Sequence, residues 1–301
     1  MRELVIVSGK GGTGKTSLTA VFAALAGNGV LCDADVDAAD LHLLMQPEVR
    51  QRHDFIGGGK AVINKERCTS CGLCRDLCRF AAITGDFCVE SLHCEGCGVC
   101  VDLCPAAAID FPLQLCGQWF ISDTRFGPMV HARLGIAQEN SGKLVSLVRK
   151  EARRVAEERG SDLILTDGPP GIGCPVIAAM GGATALLLVV EPTVSGIHDM
   201  ERVVDLAAHF RLPGMVCINK YDLNLDNTAA IEEMARRRKL AVVGRIPFDA
   251  AFVKAMVAGK TLVEYGERTT LHTLLDQIWG NILAFPSMNT LGIADFNATI
   301  K

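Results

Sequence analysis

The chain has 301 residues, 49% of them hydrophobic, and a formal net charge of −4. That is enough for one large domain, or a domain with an insert, and the mildly acidic balance speaks against a general nucleic-acid binder. No basic segment precedes a long apolar core at the N-terminus, and the longest apolar run, ATALLLVV at 183–190, is far short of a bilayer span. A cytoplasmic protein that does not attach to membranes is therefore expected, and there its 13 cysteines point to metal ligation ahead of disulfides.

Glu3 to Val7 forms the first predicted strand and Lys15 to Ala26 the first helix. Between them Gly9, Lys10, Gly11, Gly12, Thr13, Gly14, Lys15 and Thr16, followed by Ser17, fit the phosphate-loop pattern G-x-x-x-x-G-K-T. Glycines let successive backbone N–H groups curl around phosphate oxygens, and the helix N-terminus adds its positive end. Lys15 is placed to reach the β and γ phosphates and Thr16 to hold Mg²⁺. A second strand, Val30 to Cys32, runs into CDADVDAADL at 32–41.

From about 57 to 112 the rhythm breaks. This stretch holds nine of the 13 cysteines and an internal repeat. A shift of 26 residues lays CTSCGLCRDLCRFAAI (68–83) on CEGCGVCVDLCPAAAI (94–109). Each copy reads C-x-x-C-x-x-C-x-x-x-C, the spacing of bacterial two-cluster ferredoxins. Three thiolates wrap one cubane and the fourth reaches the other. Cys68, Cys71, Cys74 and Cys104 are thus expected to hold one [4Fe–4S] cluster, and Cys94, Cys97, Cys100 and Cys78 the second. Arg79 stands where the second copy has Pro105, which leaves the ligand set intact. Zinc, which also accepts four cysteines, is the alternative.

Further along, the stretch Phe120 to Lys143 reads as a connector or a partner-binding surface, Lys143 to Arg159 as a helix, and Leu163 to Thr166, Ala185 to Val190, Met215 to Ile218 and Ala241 to Ile246 as strands. Their runs are almost continuously apolar, as in a parallel sheet buried on both faces. Ile197 to His209 and the amphipathic 271–283 read as helices. The latter lacks Lys and Arg, unlike a membrane anchor. DGPPGIG at 167–173 follows one strand. INKYD at 218–222 follows another, near Ile246 to Asp249. The N-K-x-D pattern suits guanine through Asp222. The basic run 236–239 reads as a helix end paired with Glu232 and Glu233. The expected organisation is an α/β domain over 1–56 and 113–285, with mostly parallel strands and helices on both faces, an inserted α+β ferredoxin domain over 57–112, and a tail at 286–301.

With Lys10 early in its phosphate loop, the chain resembles the P-loop ATPase superfamily of MinD, ParA, Mrp and the nitrogenase iron protein. The resemblance covers all but about the last fifteen residues. It implies a homodimer in which Lys10 reaches the partner's nucleotide in trans. It makes Asp35 the carboxylate that positions attacking water, with Asp33 and Asp37 as competitors. Asp40 falls at the switch I contact, Asp167 toward Mg²⁺, and the base becomes adenine, read by Asn219 with the turn at Pro247 beside it. It also draws notice to Cys174, seven residues after Asp167, as a ligand of a shared third centre, with His131 as a conceivable partner. The activity expected is ATP hydrolysis coupled to electron transfer from two [4Fe–4S] clusters to a redox or metal-cofactor protein. A cluster or metal carrier and a MinD- or ParA-like positioning switch with sensing clusters are the alternatives. No nucleic-acid or membrane partner is expected.

Overall fold

The computed structural model describes residues 1–135 and 141–289. Residues 136–140, inside the expected connector, and 290–301, most of the expected tail, lie outside the described residues.

In chain order the strands are β1 (Arg2–Ser8), β2 (Val30–Asp33), β3 (Glu48–Gly59), β4 (Val62–Ile63), β5 (Ile109–Asp110), β6 (Leu113–Thr124), β7 (Gly127–Leu134), β8 (Leu163–Pro170), β9 (Ala185–Val190), β10 (Gly214–Asn219) and β11 (Ala241–Ile246). The helices are α1 (Lys15–Ala26), α2 (Leu41–Met45), α3 (Leu73–Leu77), α4 (Val99–Asp102), α5 (Ser141–Arg159), α6 (Cys174–Met180), α7 (Val194–His209), α8 (Leu225–Arg237), α9 (Ala251–Val257) and α10 (Thr270–Ala284).

Nine strands form one sheet in the order β11-β10-β9-β1-β8-β2-β7-β6-β3. From β11 to β7 every pairing is parallel, and β6 and β3 then add two antiparallel strands at one edge. Strands β1, β2, β9 and β10 are buried almost throughout, which explains their unbroken apolar runs. One core face packs Leu144, Val148 and Ala152 of α5 with Met200 and Val203 of α7. The other packs Leu18 and Phe22 of α1 with Leu275, Ile278 and Trp279 of α10, where Phe22 and Trp279 stack at 5.5 Å. The apolar stripe of α10 is thus spent on the core.

The expected connector from Phe120 is instead strand out to Leu134: β6 and β7 form a hairpin from Gly117↔Leu134 to Thr124↔Gly127. It looks irregular in sequence because only scattered positions, such as Ile121, Met129 and Val130, are buried. Arg125 at its turn forms a two-pronged ion pair with Glu264 and donates to the Met45 carbonyl. In the basic run, Arg236 and Arg237 both pair with Glu233, and Glu232 pairs with Arg245 instead.

Strand β3 extends to Gly59, opposite Leu113 of β6, so the segment outside the large sheet is 60–112. Its two-stranded sheet pairs Val62 with Asp110 and Ile63 with Ile109. The bridge Ile83↔Val89 repeats that second pairing 26 residues out of step. Backbone bonds repeat too: Asn64 N–H to Ala108 O at 2.8 Å and Glu90 N–H to Ala82 O at 2.8 Å, then Cys68 N–H to Asn64 O and Cys94 N–H to Glu90 O, both at 3.0 Å. The sequence duplication is therefore a pseudo-twofold in space.

Candidate functional site

The chemistry-bearing residues of the large sheet gather at the carboxyl ends of its parallel strands. In such sheets ligands bind beyond those ends, where strands leave in opposite directions from the first. The phosphate loop follows β1, which lies between β8 and β9. Asp33 closes β2, Asp167 lies in β8 directly opposite it, Glu191 follows β9 and Asn219 closes β10.

Gly12 and Gly14 have φ of 81° and 86°, in the left-handed region that favours glycine. At Gly14 a Cβ would also lie 2.5 Å from the Asn219 side-chain nitrogen. Lys15 Nζ is 3.0 Å from Asp167 and 3.4 Å from Asp35. Burial works to lower the Lys15 pKa, but Asp167 and Asp35 outweigh it and hold the ammonium charged. Thr16 and Thr19 each donate to Asp167 at 2.8 Å, so both carboxylate oxygens are directed toward the loop. Burial lifts Asp35 to about 6 against the pull of Lys15, with the Asp167 charge adding to the rise. Burial, then Asp167, pushes Asp33 well above the ordinary carboxylate range. Asp33 accepts the Asp35 N–H at 3.2 Å through Oδ1, while its Oδ2 has no partner. Thr13 Oγ1 is likewise buried without one. Orphaned buried polar atoms cost about 1–3 kcal/mol each, and two of them beside a phosphate loop mark a chamber built for a polar ligand.

Asn219 donates to Thr13 O at 2.7 Å and accepts from Lys220 N–H at 3.1 Å. It therefore braces the loop, keeping one N–H and one lone pair for a base. The Asp222 carboxylate accepts the Phe248 N–H at 2.6 Å, beside half-buried Pro247. Lys10 folds back on its own chain, 3.1 Å from Thr193 Oγ1, 3.3 Å from Ser195 Oγ and 3.6 Å from Glu191. Lys220 also pairs with Glu191. Glu191 escaped the sequence reading; its signal was a lone carboxylate ending a buried strand beside the phosphate-loop strand. Asp40 is exposed at the N-terminal end of α2 with no capping bond from its side chain.

Cys174 is exposed at the first turn of α6, against Gly142. His131 lies on β7, within hydrogen-bond reach of Ser122 at 2.9 Å and stacked on Phe120. Burial, aided by His42, lowers its pKa to about 4. Sequence reasoning also missed the buried Glu3, which takes a two-pronged ion pair from Arg149 at 2.7 and 2.9 Å, a bond from Arg153 at 2.8 Å and one from Thr166 at 2.9 Å. Arg149 also donates to the Ala178 and Gly181 carbonyls at the end of α6. The segment that follows Asp167 is thereby tied to β1.

In the segment 60–112 eight of the nine thiols line two small cavities. Cys68, Cys71, Cys74 and Cys104 line one, with Ile63 and Phe87. Cys78, Cys94, Cys97 and Cys100 line the other, with Phe80, Val89 and Phe111. Gly72 and Gly98, with φ of 84° and 77°, turn the chain into α3 and α4. The fourth thiol of each copy accepts a backbone N–H, Ala82 to Cys78 at 3.4 Å and Ala108 to Cys104 at 3.3 Å. Burial lifts Cys100 to about 11, and Cys94, Cys97 and the more distant Cys74 add to it. Among the described residues, no three His, Cys, Asp or Glu groups converge on a position for a single metal ion. Cys32 and Cys217 are buried core thiols, and Cys116 donates to the Gly57 carbonyl.

A family profile described as CbiA, the CobQ/CobB/MinD/ParA nucleotide binding domain, matches residues 4–263. The chain belongs to this family. An uncharacterised Methanocaldococcus jannaschii protein, MJ0578, is 33% identical over 264 residues, covering 87% of this chain and 89% of its own. A second from that organism, MJ0579, is 24% identical over 304 residues, 93% of this chain and 100% of its own. Among solved structures, the septum site-determining protein MinD of Pyrococcus horikoshii, complexed with Mg-ADP, superposes with a TM-score of 0.60 at 19% identity, covering 99% of each chain. The cell division ATPase MinD of Pyrococcus furiosus gives 0.59 at 20% identity, covering 93% of this chain and 98% of its own. The family is one of nucleotide-binding domains, and the fold is shared with the MinD structures. Among the described residues no helix is long and apolar enough to cross a membrane.

Proposed function

We propose that the protein is a homodimeric ATPase whose nucleotide cycle is coupled to electron transfer through two [4Fe–4S] clusters to a redox or metal-cofactor partner. The observation that carries this reading is one chain joining two built sites: a phosphate chamber with buried Lys15, Asp35 and Asp167, and two four-thiol cavities on the β3–β6 arm. That arm begins just after 33–40, the segment expected to act as switch I.

At the chamber, Lys15 and the loop N–H groups hold the phosphates, and Thr16 with Asp167 orients Mg²⁺. Asp35, with a pKa of about 6, is mostly ionised at neutral pH and near enough to its pKa to accept a hydrogen bond from the attacking water. Lys10, once drawn off Glu191, reaches the partner's nucleotide and offsets charge on the transferred phosphoryl group. ATP is preferred to GTP by the family resemblance, with Asn219 keeping one N–H and one lone pair for the base.

In the arm, Cys68, Cys71, Cys74 and Cys104 fit one cluster, and Cys78, Cys94, Cys97 and Cys100 the other. Four thiols line each cavity, and backbone donors already meet two sulfurs. Bound there, the clusters supply one-electron transfer. Cys174 remains a candidate ligand for a centre shared across the dimer, while Ser122 and Phe120 already engage His131.

Anaerobic purification followed by redox titration with and without Mg-ATP tests the reading. About eight irons per monomer are expected, with potentials that depend on nucleotide. Zinc in place of iron, or iron-loaded protein whose potentials and reduction of acceptors ignore ATP, would overturn it. Cys71 and Cys97 are exposed, which favours cluster donation as a second reading. Rapid transfer of labelled iron and sulfide to an apo-protein would promote it.

A further inference from the structure

The two cysteine sets are related by the 26-residue repeat, so the places where the copies differ carry information. Ser70 and Gly96 are equivalent, and both have positive φ, 52° and 63°. The first copy tolerates a side chain there, exposed to solvent. In the second, a Cβ would lie 2.6 Å from the Gly59 carbonyl oxygen. Backbone conformation alone therefore does not demand glycine at 96; the close approach of Gly59 does. Gly85 and Phe111 are equivalent as well. A Cβ on Gly85 would meet open space. The Phe111 ring, by contrast, lies 2.7 Å from where a Cβ on Gly59 would be, and it lines the cavity of Cys78, Cys94, Cys97 and Cys100. One copy has lost a side chain and gained another, and both changes fall on the last residue of β3.

That residue closes the stem of the arm. Gly59 pairs with Leu113, and Lys60 N–H bonds Pro112 O at 3.3 Å. Ala61, two residues past β3, and Phe111, two before β6, line the same cavity, whereas their counterparts in the repeat, Phe87 and Gly85, lie between the two copies, and only Phe87 lines the cavity of Cys68, Cys71, Cys74 and Cys104. At the other end β3 starts three residues after α2, which follows 33–40, and Val36 O accepts from Leu134 N–H of β7 at 3.4 Å.

We propose that Cys78, Cys94, Cys97 and Cys100 form the inner cluster site, and that Gly59, Gly96 and Phe111 are the joint through which movement of the β3–β6 stem changes that cluster and not the outer one. This rests on the coupled reading above. Cluster potential follows the hydrogen bonds to its sulfurs and its solvent exposure. A shift of Gly59 against the Cys94–Cys97 loop alters both at the inner site. The outer site, farther along the arm, keeps a constant environment and is the one offered to the redox partner.

The test is an EPR-monitored redox titration of the full-length, iron-loaded protein without nucleotide and with Mg-ADP or Mg-ATP. Cys71→Ser identifies the outer signal. The expected result is a nucleotide-dependent midpoint shift in the inner signal only. Gly96→Ser, which installs the residue of the outer copy, and the milder Phe111→Leu should each abolish that shift, while Ser70→Gly leaves it in place. If Gly96→Ser loses iron, Phe111→Leu decides. A shift confined to the outer signal, or one that survives in iron-loaded Phe111→Leu, overturns the joint and leaves nucleotide coupling standing. Wild-type protein without iron, or with both midpoints indifferent to nucleotide, overturns the joint and the coupled reading together.

Discussion

Replacing Asp35 by asparagine should stabilise the nucleotide-free protein while abolishing hydrolysis. Three carboxylates, Asp33, Asp35 and Asp167, surround the single ammonium of Lys15, so one negative charge at Asp35 is more than the chamber needs when empty. Its folded pKa of about 6 lies above the ordinary carboxylate value of about 3.9. A carboxyl raised in this way contributes stability below about pH 3.9, and that contribution is lost as pH rises through about 6. Two units correspond to about 3 kcal/mol, and screening on the open side of the chamber trims this to about 1–3 kcal/mol. Asparagine cannot ionise and can still accept from Lys15. Urea unfolding at pH 7.5 should show the variant more stable by about that amount, with the difference shrinking toward pH 4. Multiple-turnover hydrolysis measured alongside should fall to background. A variant less stable than wild type at pH 7.5, or equally favoured at pH 4, would refute the electrostatic account.

The remaining expectations concern the loop, the trans lysine and the buried ion pair. Gly14→Ala must place a Cβ at φ 86° and against Asn219; a loss of at least about 1 kcal/mol and of nucleotide binding is expected by unfolding and fluorescence titration. Lys10→Ala should bind nucleotide as a monomer but fail to dimerise or hydrolyse, as light scattering and phosphate release would show; unaltered dimerisation and turnover would sink the trans role. Arg149→Ala leaves buried Glu3 with Arg153 and Thr166 alone and should cost about 3 kcal/mol, the low end for a broken buried pair, whereas the double variant Glu3→Leu/Arg149→Leu should recover part of it in a denaturation series.

The buried parallel strands were legible because both faces of each are covered, leaving runs such as ALLLVV with no polar punctuation. The phosphate loop and cysteine spacing were legible because both are local: a few consecutive residues fix a loop's curvature. Strands β3, β6 and β7 were not. Of β3 only Phe55, Gly57 and Gly59 are buried, so no alternation marks it, and its partner strand lies some sixty residues away. Glu191 and the Glu3–Arg149 pair were hidden for a related reason. A carboxylate and the cation it meets about 30 or 146 residues distant leave no pattern in either neighbourhood.

The hydrogen-bonded closure of β3 on β6 also makes the two parts of the chain separable. Gly59 and Leu113 face each other across an antiparallel ladder, so a plain two-residue turn could join them, and everything from 60 to 112 hangs from the tip of what would otherwise be an ordinary hairpin. Lengthening a connection at such a point adds only about 0.6 kcal/mol per doubling and disturbs no register in the sheet. A segment of this size can therefore sit at that tip without asking the nucleotide-binding core to refold. By the same logic, excising the segment and closing the strands with Asn-Gly should return a compact protein that still binds nucleotide.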